Sequence, residues 1–187
     1  FMLTDGALRM LVLLHFHTLG FSPVQLAYLF VLYEIAGVVT NLSAGWFAAR
    51  FGLTTTLYAG LSLQVLALLA LVQLDTSWGI TASVVFVMLV QGLSGVAKDL
   101  TKMSSKSAVK TLAPADSGVL FQWVAVLTGS KNAVKGSGFL LGAMLLAVFG
   151  FVSSALTMAV ILFVILVGVL FYMPSGLPAG RKDAKFS

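Results

Sequence analysis

The sequence predicts an all-α membrane protein of six transmembrane helices, and three observations carry that prediction. Of 187 residues, 59% are hydrophobic and only 9% are charged, against about 25% charged in ordinary soluble domains. The mean hydropathy is +1.05. Apolar runs long enough to cross roughly 30 Å of hydrocarbon recur between short turns that carry Gly, Pro, Ser or Asp. A net charge of +5 would point to nucleic acid in a soluble chain, but here the basic residues lie within or beside the apolar runs, so no nucleic-acid partner is expected. With no cysteine there is neither a disulfide framework nor a thiolate metal site. No metal and no cofactor are expected.

Residues 1–19 form the first span, with Asp5 and Arg9 spaced i, i+4 so that one helix could pair them, and with His15 and His17 near its far end. The chain opens at Phe1 already inside this apolar run, which reads as a fragment. Asp5, Arg9 and the lack of a small-residue cleavage site argue against a cleavable signal peptide. Gly20 to Pro23 makes a short turn, with Pro23 at a helix start where its missing N–H is not needed. The second span, 24–49, carries Glu34 near its middle and Asn41 about two turns later, and Arg50, Phe51 and Gly52 end it. The third, 53–74, has no charged residue, and Asp75 to Gly79 turns the chain back. The fourth, 80–108, runs into a series of lysines and should project beyond the bilayer. The fifth, 117–150, is too long for a perpendicular crossing of roughly 30 Å and must tilt or protrude. The sixth, 151–173, is again uncharged. A loop with Pro174 and Pro178 then leads into a tail, 176–187, bearing Arg181, Lys182 and Lys185.

The stretch 91–142 holds six of the eleven basic residues in otherwise apolar surroundings. Lys98, Lys102, Lys106 and Lys110 recur at every fourth position, a helical stripe that drifts by about 40° per step. Lys131 and Lys135 repeat the spacing. Between the two groups Pro114, Asp116 and Gly118 mark a turn. Antiparallel helices joined there would put Lys98 and Lys131 some fifteen residues from it, or roughly 20 Å, at one level. A lysine at mid-bilayer costs roughly 3 kcal/mol, whereas a leucine returns only about 0.5. These groups must therefore face water, an anion or a carboxylate. Only Asp99 and Asp116 lie nearby, which leaves the segment four positive charges in excess. A transported anion is the expected source of the missing negative charge.

Arg50, the Lys106/Lys110 end and the Arg181/Lys182/Lys185 tail fall on one side, whereas the connections near Ser22, Thr76 and Gly150 carry no Lys or Arg. The positive-inside rule then places both ends of the chain in the cytoplasm, in a cell (inner) membrane. Ionisable residues occur in the first, second, fourth and fifth spans and are absent from the third and sixth. The uncharged pair should form the lipid-facing exterior, and the other four should line a polar cavity. Two sets of three spans with this arrangement match the 3+3 inverted repeat of one half of a major-facilitator fold.

Each candidate residue has a plainer reading beside the functional one. Lys98, Lys102 and Lys131 either contact a substrate anion or pair internally with Asp99, Asp5 or Glu34. Lys106 and Lys110 read rather as juxtamembrane charges, and Lys135 divides evenly between the two roles. Arg9 offers a planar fork to phosphate or pairs with Asp5. Glu34 has no basic partner on its own span and, with Asp5, is a candidate for carrying a coupling proton; an interhelical hydrogen bond explains it as well. Asn41, Asn132 and Gln122 bond substrate or neighbouring helices. His15 and His17 read as interfacial polar groups. No acid/base or metal constellation appears, so an enzyme is not expected.

Several runs together resemble one family. Residues 45–52 (GWFAARFG) are similar to the motif between the second and third spans of major-facilitator proteins, with Ala49 where an acid is usual and Leu53 and Thr54 where a basic pair is usual. The runs 4–10 (TDGALRM), 14–17 (LHFH), 33–34 (YE), 40–42 (TNL), 97–107 (AKDLTKMSSKS) and 127–132 (LTGSKN) resemble the ArsJ-type organoarsenical efflux permeases, over nearly the whole chain. That resemblance implies secondary active export of 1-arseno-3-phosphoglycerate and hence arsenate resistance. This arsenate ester forms when glyceraldehyde-3-phosphate dehydrogenase accepts arsenate in place of phosphate, which implies a functional link to that enzyme. It also implies a further C-terminal six-helix half. Such an ester carries charged tetrahedral oxyanions that suit ammonium and guanidinium donors and not soft thiolates. The alternatives are a permease for another organophosphate or drug-like anion, a membrane enzyme acting on phosphorylated lipid, and a scaffold.

Overall fold

The computed structural model describes residues 1–75, 77–112 and 117–172. The described residues are helical, in the order α1 (Met2–Thr18), α2 (Pro23–Tyr28), α3 (Val31–Phe51), α4 (Leu53–Val72), α5 (Ile80–Leu112) and α6 (Ser117–Tyr172). Among them four segments are long and apolar enough to cross a bilayer: 23–43, 53–72, 80–108 and 121–172. The expected turn with Pro114 and Asp116 and the tail carrying Arg181, Lys182 and Lys185 lie outside the described residues.

The segment expected as one span over 24–49 is interrupted. Ser22 caps α2 reciprocally: its Oγ accepts from the Gln25 N–H, and Gln25 Oε1 accepts from the Ser22 N–H at 2.8 Å, so two N–H groups at the helix start are satisfied. After Tyr28 the Phe30 N–H donates to the Ala27 carbonyl at 3.1 Å. That tighter bond ends the first segment before α3 begins.

The 56-residue α6 would be about 84 Å long if straight. It is broken at Gly150, whose φ of 74° is open to glycine and strained for other residues. Its two arms, 117–149 and 151–172, run in opposite directions. Lys131 on the first arm lies beside Lys106, the Ser104 hydroxyl donates to the Leu53 carbonyl at 2.9 Å, and the Tyr58 hydroxyl of α4 reaches the Val169 carbonyl of the second arm at 3.5 Å. All three contacts lie at one end of the bundle. His15 stacks on Phe151 with ring centroids 4.1 Å apart at the other.

Small residues set the crossings. A Cβ on Gly138 would run into the Leu3 carbonyl, and one on Gly95 into the Tyr33 carbonyl. Glycine at these positions brings α1 onto the first arm of α6 and α3 onto α5 at backbone contact, the packing mode that lipid-embedded helices favour. Between them lies an apolar core that includes Leu8, Leu11, Phe16, Leu68, Met158 and Leu162, each under 2% exposed. Charged side chains come from α1, α3, α5 and the first arm of α6. Neither α4 nor the second arm contributes one.

Candidate anion site

The polar centre is built around Tyr33, which is fully buried. Its hydroxyl donates to Asp5 Oδ1 at 2.6 Å. The Arg9 guanidinium carbon stands 4.1 Å from its ring centroid and Lys98 Nζ stands 4.2 Å away, both within cation–π range. Asp5 is 1% exposed, and its second oxygen lies 3.3 Å from Lys135 Nζ as an ion pair without good hydrogen-bond geometry. Arg9 pairs across helices with Glu34. Asp99 lies 3.7 Å from Lys98 Nζ and accepts from Lys102 Nζ at 3.3 Å.

The sequence left the partner of each carboxylate open, and the structure chooses. Glu34, without a basic neighbour on its own helix, receives Arg9 from α1. Asp5 turns to Tyr33 and Lys135 and leaves Arg9, because the Gly6–Gly138 crossing sets the first arm of α6 against the Asp5 face of α1. Arg9, Lys98, Lys102 and Lys135 thus each stand within 4 Å of a carboxylate of this chain.

Lys131 is different. It lies beside a cavity of about 260 Å³ between α5, the first arm of α6 and the start of α1, lined by Thr101, Lys102, Ser105, Lys106, Ser130 and Lys131 among others. Among the described residues no Asp or Glu lines this cavity. Among the described residues no carboxylate comes within ion-pair distance of Lys131 or Lys106. The hydroxyls of Thr101, Ser105 and Ser130 donate to carbonyls of their own helices, Ala97, Thr101 and Leu127. Among the described residues the Lys106 and Lys131 ammonium groups, with no carboxylate in ion-pair distance, are therefore the donors open to an anion, whereas Lys102 is already engaged by Asp99.

The expected level of Lys131 with Lys98 is not observed. Lys131 meets Lys102 and Lys106, one to two turns further along α5, and Lys98 turns to Tyr33. The reason is that α5 and α6 make little contact along their lengths; α5 packs mainly on α3 and α4, while α6 packs on α1. Lys106, read from sequence as a juxtamembrane charge, is part of the cavity wall. The continuous i+4 lysine stripe was the signal for it. Tyr33 had no signal beyond its place next to Glu34.

A second cavity, of about 350 Å³, is lined by Arg9, Met10, Leu13, Phe30, Glu34 and Phe139. It is apolar apart from one ion pair. Asn41 and Asn132 are exposed on α3 and α6, outside both cavities. Nothing among the described residues groups three His, Cys, Asp or Glu side chains for a metal.

Length and composition make this an all-helical membrane protein with a buried charge network and a lysine-lined cavity. No protein-family model, no curated protein and no solved structure matches the chain.

Proposed function

We propose that the chain is half of a secondary active exporter for a small, multiply charged organic anion, and that this anion is 1-arseno-3-phosphoglycerate. The observation that carries the reading is the convergence of Lys102, Lys106 and Lys131 on one cavity with no Asp or Glu among the described residues of its wall. Like charges so placed repel one another, and among the described residues Lys106 and Lys131 have no carboxylate within ion-pair distance. A di- or trianion relieves both costs at once. At about 260 Å³ the cavity is smaller than the roughly 300–1,000 Å³ typical of drug-sized ligands, which favours a compact phosphorylated metabolite. A tetrahedral oxyanion meets ammonium donors well.

The packing pattern supports a major-facilitator half with a 3+3 inverted repeat. If span one corresponds to four, two to five and three to six, the α1 crossing on the first arm of α6 maps onto the α5 crossing on α3. The His15–Phe151 contact maps onto the α4–α5 contact, and the α4 contact with the second arm maps onto itself. Such a half rocks against a C-terminal partner half to give alternating access. The loops around Ser22, Thr76 and Gly150 carry no Lys or Arg, which supports cytoplasmic ends in an inner membrane.

The test is uptake by everted vesicles containing the full-length protein. Arseno-phosphoglycerate, generated in place by glyceraldehyde-3-phosphate dehydrogenase and arsenate, should accumulate faster than 3-phosphoglycerate alone, and Lys131→Met should abolish the difference. Uptake indifferent to Lys131, or equal for a neutral compound of the same size, defeats the reading. The larger apolar cavity beside Arg9 favours a second reading, a drug-like organic anion; competition by such compounds and not by phosphoglycerate would select it.

A further inference from the structure

Resting on the anion-export reading, we propose that Asp99 is an internal stand-in for the substrate: it holds Lys102 while the lysine cavity is empty and yields it to the bound oxyanion. Lys102 belongs to two environments. It lines the cavity with Lys106 and Lys131, and its ammonium nitrogen donates to Asp99 Oδ1 at 3.3 Å. That is long for a charge-assisted bond, which is usually about 2.7–2.9 Å. An oxyanion entering the cavity competes with Asp99 for this one cation.

The exchange is feasible because Asp99 has a second partner. Its side chain is 4% exposed, and stripping a buried carboxylate of all counter-charge would be prohibitive. Lys98 Nζ stands 3.7 Å from the other carboxylate oxygen, so Asp99 remains paired when Lys102 leaves. Lys98 also rests on the Tyr33 ring, and Asp99 Oδ2 sits in the space left by Gly37 on α3, only 2.9 Å from where a Cβ would be. Release of Lys102 therefore changes the charge balance at the α3–α5 crossing. Loading of the cavity is communicated to α3 through side chains already in contact.

The competition predicts an inverted phenotype. If Lys102 spends about nine-tenths of its time on Asp99, removing the competitor raises apparent affinity about tenfold. Binding of 3-phosphoglycerate and of inorganic phosphate to the purified full-length protein would be measured by calorimetry. Asp99→Asn should bind about tenfold more tightly than wild type yet transport more slowly. In a Lys102→Gln background the same substitution should change nothing. Should Asp99→Asn fold poorly, the Lys98→Gln/Asp99→Asn pair removes the buried carboxylate and its remaining partner together and should show the same tightening. Unchanged or weaker binding in both variants, with binding still lost in Lys131→Met, overturns the Asp99 proposal and leaves the anion reading standing. Binding that is absent in the wild type, or unaffected by Lys131→Met, overturns the anion reading itself.

Discussion

Substituting alanine for Gly138 or for Gly136 puts the same methyl group two residues apart on α6, and the two sites should respond with opposite signs. A Cβ at Gly138 runs into the Leu3 carbonyl and comes to 3.1 Å from the Ala7 nitrogen and 3.2 Å from the Gly6 Cα. All three are backbone atoms of α1, so no side chain can swing aside and the helix itself must move. Overpacking of this kind costs about 1–3 kcal/mol. At Gly136 nothing lies within 4 Å, and alanine there gains up to about 1 kcal/mol of helix propensity. The pair should therefore differ by about 1–4 kcal/mol. The displacement also bears on the site, since the same crossing sets Asp5 opposite Lys135. Denaturant unfolding of the full-length protein in detergent, alongside vesicle transport, measures both effects. Equal stability of Gly138→Ala and Gly136→Ala would refute the close approach of α1 to α6.

Three further outcomes follow from the charge network. Lys135→Met leaves Asp5, which is 1% exposed, without its cation and should lower unfolding stability by about 3–5 kcal/mol; Lys131→Met removes a charge with no carboxylate partner among the described residues and should leave stability unchanged or raised while, on the proposed export of an anion, transport is lost. Tyr33→Phe deletes the 2.6 Å donor to Asp5 and should cost about 1–3 kcal/mol. Thermal unfolding reads that loss directly, and a variant as stable as wild type would show that the hydroxyl does not hold Asp5. The Arg9 and Glu34 side chains are 23% and 62% exposed, so a double-mutant cycle with Arg9→Gln and Glu34→Gln should give a coupling of only about 0.5–1 kcal/mol; a much larger value would mean that the pair is shielded from solvent in the membrane.

Much of the fold was legible in the chain because burial in lipid leaves a coarse mark. Six apolar runs and the Gly and Pro punctuation between them announce a helical membrane protein, and Gly150 falls at the end of the expected fifth span as well as at the break in α6. The interruption at Leu29–Phe30 was not legible, since both residues are apolar and neither is Gly or Pro. The lysine stripe likewise announced an excess of positive charge. It could not say which lysines are neutralised within the chain.

Local spacing, composition and charge count therefore determined that this is a helical membrane protein with more cations than its own carboxylates can balance, because each is a property of single helices. Which cation each carboxylate takes was decided by tertiary structure alone. Asp5 and Lys135, Arg9 and Glu34, and Lys98 and Tyr33 are brought together by glycine crossings that set the rotation of one helix against another. Rotation and register between helices are fixed by backbone contact at those few points, and the same contacts leave Lys131 at the cavity wall without a carboxylate partner among the described residues.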